Sequence, residues 1–176
     1  MSNVDSPPPV PSESLSRPYQ VYLLTISLLG VCLAVLGFVQ LSTQQFASFI
    51  LLALLAAAVQ STATLTFKGV DFSVSSAVSL AAIPLFGPAP ASIIAIVAEL
   101  ALWIISVRTD RPPWNKALRR LGFNTGMSAI AIFLAGIVFH GLVGWLGDNV
   151  IALTISWIAT AVVADQANLW LLIIVL

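Results

Sequence analysis

The sequence predicts an all-α polytopic membrane protein of about six transmembrane helices, with both termini on the cytoplasmic side. Three observations carry that prediction. Hydrophobic residues make up 59% of the chain and charged residues only 8%, where a soluble domain of similar length carries roughly a quarter charged residues. Apolar runs able to cross about 30 Å of hydrocarbon recur along the chain between short polar turns. Finally, Arg108, Arg111, Lys116, Arg119 and Arg120, five of the seven basic residues, fall in one stretch between two such runs. Lys and Arg concentrate in short cytoplasmic loops, so these five are read as topology determinants that orient the whole chain.

Residues 1–18 are rich in Pro and Ser, with Pro7, Pro8, Pro9 and Pro11. They lack the basic start, short apolar core and cleavage site of a signal peptide, and read as a disordered cytoplasmic tail. Residues 19–176 read as a single helical membrane domain. Its first span, 19–41, has Arg17, Tyr19 and Tyr22 at the cytoplasmic end. The uncharged turn Ser42-Thr43-Gln44-Gln45 leads into a second span, 46–60, that returns the chain. Residues 60–73 are rich in β-branched residues and carry Lys68 and Asp71, and they predict an extended cytoplasmic connection.

Val74 to Val107 would measure about 51 Å as one helix, too long for one crossing, so it must fold back. Pro84 and Gly87-Pro88-Ala89-Pro90 supply the break, because proline cannot donate to the helix ladder and glycine tolerates turn geometry. The expected spans are 73–86 and 91–107; the alternative is a re-entrant hairpin that does not fully cross. After the basic stretch come spans 121–146 and 151–176, separated by Gly147-Asp148-Asn149. The outer turns hold no Lys or Arg, and Trp114 and Trp145 fall where interfacial tryptophans are expected. The last residues, Leu169 to Leu176, include no charge or polar tail, as expected of a chain that continues into something longer.

Gly69-Val70-Asp71-Phe72-Ser73-Val74-Ser75-Ser76-Ala77-Val78, then Leu85-Phe86-Gly87-Pro88, an apolar helix, a basic loop with Trp114 and Lys116-Ala117-Leu118, and Phe123-Asn124 form an ordered series. The series resembles the multi-helix N-terminal membrane module of bacterial signalling proteins that carry HD-GYP phosphohydrolase or GGDEF diguanylate cyclase output domains. The similarity covers about Leu51 to the end, and Asn168 falls near a position where such a module has an Asn. It implies a sensory or anchoring input region in the bacterial cytoplasmic membrane, a homodimer, and a cytoplasmic effector domain or partner protein. These 176 residues do not themselves include the pattern's effector domain, so the resemblance leaves the output activity open. In size and helix number alone the chain is also similar to the substrate-binding subunits of energy-coupling-factor vitamin transporters. A structural membrane subunit of a larger complex is a third reading.

No enzyme chemistry is expected. One His and one Cys far apart cannot hold zinc, no Gly-rich phosphate loop appears, and no serine has a paired base, so no cofactor is called for. Zero net charge argues against nucleic acid; the expected partner is the lipid bilayer. Cys32 reads as a packing residue, and His140, near the outer end of the fifth span, as a histidine buried against a neighbouring helix or facing the interface rather than a proton sensor. The residues that need explaining are the acids inside apolar spans: Glu99 in the middle of the fourth, and Asp165 in the sixth with Gln166 and Asn168 beside it. A charge at mid-bilayer costs at least about 2.5 kcal/mol on insertion scales. Glu99, Asn124, Asp165 and Asn168 are therefore expected to line an internal polar site for a ligand or proton, or else to bond helix to helix. Gly122 with Gly126, and Ala53 with Ala57, form small-xxx-small pairs that let helices approach closely.

Overall fold

The computed structural model describes residues 16–66 and 74–174. They form six helices: α1 (Arg17–Gln40), α2 (Phe46–Thr66), α3 (Val74–Phe86), α4 (Pro88–Asp110), α5 (Trp114–Leu146) and α6 (Val150–Ile173). The predicted disordered tail lies almost wholly outside the described residues, as do the last two residues of the chain.

Side-chain size is sorted the opposite way from a water-soluble core. Ala56, Ala82, Ala91 and Ala135 are completely buried, while Leu24 is 70%, Val39 79% and Trp145 81% exposed. Large apolar groups outside and small ones at the helix contacts are what a bilayer selects, because lipid tails solvate Leu and Val while small residues bring backbones close enough for dispersion contact. Helices α1, α4, α5 and α6 are long and apolar enough to cross a membrane; the apolar parts of α2 (Phe46–Thr62) and α3 (Ser75–Phe86) are shorter. On α5, Trp114 and Trp145 bracket about 46 Å of helix, close to the thickness of a bilayer with its headgroups.

Helix α4 sits at the centre, packed against α1, α2, α3 and α5, and α5 in turn packs against α1, α3 and α6. Both α1 crossings are made by glycines. A Cβ on Gly30 would fall 2.6 Å from the Gly126 Cα, and one on Gly37 would fall 2.5 Å from the Ala89 carbonyl oxygen, so no side chain fits at either crossing. Gly122 faces Ser27 of α1, so Gly122 and Gly126 both serve contact within the chain. On α2, Ala53 and Ala56 are buried, whereas Ala57 is only half-buried.

Four expectations need correcting. The extended connection expected over 60–73 is helical as far as Thr66; its remainder lies outside the described residues. Hydroxyl groups resolve that conflict: Ser61 donates to the Ala57 carbonyl at 2.7 Å and Thr62 to Val59 at 2.9 Å, so polar side chains satisfy themselves on the helix that carries them. The basic stretch is also mostly helical. Arg108 belongs to the end of α4, Lys116, Arg119 and Arg120 to the start of α5, and only residues 111–113 connect them. Pro112 disfavours helical geometry at Arg111, which takes a left-handed conformation (φ 44°, ψ 51°). The Ala-, Leu-, Lys- and Arg-rich residues that follow Pro113 are strong helix formers. Helix α4 begins at Pro88 rather than residue 91, since prolines fit a first turn whose N–H groups have no partners. The break reduces to Gly87, whose φ of +90° an L side chain would resist. Lastly, Cys32, expected to pack, is exposed on α1.

The turns lie at different heights. Gln45 Nε2 donates to the Leu85 carbonyl at 3.1 Å, which ties the α1–α2 turn to the end of α3. Gly136 of α5 faces Pro88 at the α3–α4 turn, and from there α5 continues about 15 Å to Leu146. The α5–α6 hairpin therefore stands well beyond the other two turns.

Candidate functional site

Two polar cavities flank Glu99. The first, about 120 Å³, lies where α3, α4, α5 and α6 meet, and is lined by Ser75, Ser76, Ser79, Glu99, Ser128, Asp165 and Asn168, with Ala95, Ala98, Ile132 and Ala164 among its apolar walls. Ala95 and Ala98 of α4 and Ala164 of α6 make the space, because at these positions two helices that would normally interdigitate Leu or Ile present only methyl groups. Serines fill the polar side from α3, where Ser75 and Ser79 stand one turn apart.

Inside it, the Ser128 hydroxyl donates to Glu99 Oε1 at 3.1 Å. Ser75 bonds Gln60 Oε1, linking α3 to α2 behind the cavity wall. Asn168 Oδ1 is buried with no hydrogen-bond partner, and an unmet buried acceptor costs roughly 1–3 kcal/mol unless something donates to it. Asp165 lines the cavity but is exposed, so it stands at the rim and Glu99, half-buried, at the inner wall.

The second cavity, about 210 Å³, lies between the basic ends of α4 and α5 and is lined by Glu99, Leu102, Trp103, Ser106, Val107, Pro112, Ala117, Arg120, Leu121 and Asn124. Trp103 fixes its wall: the indole Nε1 donates to the Ala117 carbonyl at 3.0 Å, and its ring stacks on Trp114 at 5.8 Å between centroids and 19° between planes.

Of the four residues expected to form one site, the structure brings Glu99, Asp165 and Asn168 together, while Asn124 lies in the neighbouring cavity, with Glu99 lining both. Sequence reasoning missed the serines and Arg120. Ser75, Ser76 and Ser79 were legible as hydroxyls spaced along one apolar helix, a pattern with no use on a lipid face. Arg120 was absorbed into the charge argument. Among the described residues, no other basic side chain lines either cavity. His140 is exposed and meets the Phe139 ring edge-on at 5.5 Å, away from both.

The first cavity offers hydroxyl groups, an amide oxygen and two carboxyl groups; the second offers the Glu99 carboxyl, the Asn124 amide and the Arg120 guanidinium. Among the described residues no group of three or more His, Cys, Asp or Glu side chains is placed to hold a metal ion. Compared with known proteins, the chain matches no family model, no curated protein and no solved structure.

Proposed function

We propose that this chain is the sensory input module of a bacterial signal-transduction protein, a six-crossing domain of the cytoplasmic membrane with both termini inside the cell. Its recognition element is the cavity shared by Glu99, Asp165 and Asn168. The observation that supports the reading most is that two carboxyl-bearing helices, each costly to insert, bring their acids to one cavity walled by serines rather than to separate helix–helix contacts. Intramembrane acids that face a polar space rather than lipid are a mark of ligand or ion handling.

Helix α6 gives the module a moving part. It packs chiefly on α5, unlike the central α4, and it carries Asp165 and Asn168 into the cavity. Its basic-side end is tied to α1 by the Tyr22 hydroxyl, which donates to the Leu171 carbonyl at 2.7 Å. A ligand bound between α3, α4 and α6 would shift the least embraced helix, and the shift would be delivered beside Leu171, where a cytoplasmic effector domain or partner protein receives it. Paired effectors in such a system favour a homodimer.

Native mass spectrometry of the detergent-purified protein tests this reading. A small solute should remain on the wild type and be lost from Glu99→Gln and Asp165→Asn variants that stay monodisperse. Folded variants that carry the same adduct as the wild type would refute it. A second reading, a solute transport subunit, draws on Glu99 lining both cavities, which gives a route from the basic end into the bundle. Neighbouring genes for an ATPase and a coupling subunit would favour it, whereas a reading frame continuing into an HD-GYP or GGDEF domain would favour sensing.

A further inference from the structure

We propose that the cavity at the basic end binds a small amphoteric group, one ammonium and one oxyanion a few bonds apart, with Arg120 holding the oxyanion and Glu99 the ammonium. The inference rests on the reading of Glu99 as part of a recognition site and goes beyond it by naming the ligand chemistry and by giving Arg120 a role other than orientation.

Three features of the cavity point to it. Arg120 and Glu99, opposite in formal charge, line one space of about 210 Å³. That volume exceeds the roughly 30 Å³ share of a single water several-fold, so the two groups can hold a small molecule between them. The walls between the charged groups are Leu102, Trp103 and Val107, with Asn124 as a further polar group. Glu99 is half-buried at the inner end and Arg120 exposed at the mouth. A ligand bearing only an oxyanion would therefore leave Glu99 unmatched in the less solvated part of the space, and one bearing only an ammonium would forgo Arg120. A planar guanidinium takes a carboxylate or phosphate through two parallel N–H···O bonds, which a lysine cannot do. The aromatic wall is rigid, since Trp103 is both hydrogen-bonded to Ala117 and stacked on Trp114, so the chamber is largely formed before anything enters.

The same chemistry exists in free amino acids and in the phosphoethanolamine headgroup of a lipid. Position favours neither, since the chamber lies at the end of the helices where headgroup and aqueous solute both arrive. The experiment separates them.

Isothermal titration of the detergent-purified chain with glycine and with O-phosphoethanolamine, against ethylamine and acetate, reads the free-solute arm. Native mass spectrometry from nanodiscs of phosphatidylethanolamine or of phosphatidylglycerol reads the lipid arm. At least one amphoteric probe should bind at least tenfold tighter than either singly charged one. Arg120→Gln and Glu99→Gln should each weaken it tenfold or more. Arg120→Lys should retain part of the binding, and Arg119→Gln, one residue away and outside the cavity, should leave it unchanged. Monodisperse elution of each variant guards against unfolding, and Arg120→Lys keeps the test open should Arg120→Gln not fold. Singly charged probes binding equally well, Arg119→Gln weakening binding as much as Arg120→Gln, or no saturable amphoteric binding in either arm would overturn the proposal. If it fails while Asp165→Asn still removes the adduct described above, the recognition reading stands; if both are silent, both fall.

Discussion

Gly126→Ala is the most direct test of how the bundle is held. The position lies where α1 crosses α5, and a Cβ there would overlap the carbonyl carbon of Ile26 at 2.8 Å as well as its oxygen. The obstructing atoms are backbone, so no rotamer change relieves the overlap and the two helices must part. Overpacking costs about 1–3 kcal/mol, and the upper end applies when the obstacle is rigid. Against that, Ala in place of Gly in a helix interior returns about 1 kcal/mol. The net loss is about 2 kcal/mol, or about 4–8 °C in Tm for a chain of this size. Gly144→Ala is the internal control: it lies in the same helix with nothing within 4 Å of its would-be Cβ, so only the propensity gain operates and Tm should rise by about 2–4 °C. The assay is thermal unfolding in one detergent, followed by intrinsic tryptophan fluorescence. Equal shifts for the two variants, or a Gly126→Ala protein as stable as the wild type, would refute the close crossing.

Four further outcomes follow from single contacts. Ser92→Ala, at a fully buried hydroxyl that reaches the Ala129 carbonyl at 2.9 Å, should cost about 0.6 kcal/mol, the average for hydrogen bonds between membrane helices, in the same unfolding assay. Trp103→Phe removes the bond to Ala117 while keeping a ring against Trp114, and should lower stability by about 1 kcal/mol and change the tryptophan emission. Tyr22→Phe frees the Leu171 end of α6, and hydrogen exchange should rise in the last turns of α6 but not in α4. In a Cys32→Ser background, Trp114→Cys should react with a membrane-impermeant maleimide in inside-out vesicles only; labelling of intact cells would reverse the proposed orientation.

Much of the fold could be read from the sequence because a bilayer demands continuous apolar helices, and continuity is visible residue by residue. Helices α1, α4, α5 and α6 end within a few residues of where the apolar runs end. The misses share a cause. Residues 61–66 and 114–120 are polar enough to look like loops, but the chain can remain helical wherever hydroxyl back-bonding or good helix formers allow it, and polarity alone does not distinguish a loop from a helix end at an interface. The site was half legible. Acids in apolar runs announce themselves by their cost, so Glu99, Asp165 and Asn168 could be named. Which side of Glu99 Asn124 would fall on depended on the rotation of α5, which is set by Gly122 and Gly126 meeting α1 and cannot be counted off from spacing.

Small side chains on facing helices explain why a cavity exists at all. Ser75, Ser76 and Ser79 of α3 line it together with Ala95 and Ala98 of α4, and the far end of α3 is held beside the α1–α2 turn through Gln45 and Leu85. Large apolar side chains at the serine positions would fill the space. Instead α3 brings hydroxyls to the cavity that Glu99 and Asp165 line. An acid in α4 would be hard to tolerate against an apolar neighbour, and a polar start to α3 would be hard to tolerate against an apolar α4. Each is accommodated because the other is present, which is why replacing Glu99 by Leu should cost stability in the same unfolding assay despite the gain in hydrophobicity: the Ser128 hydroxyl, which donates to Glu99 at 3.1 Å, would be left facing an apolar wall.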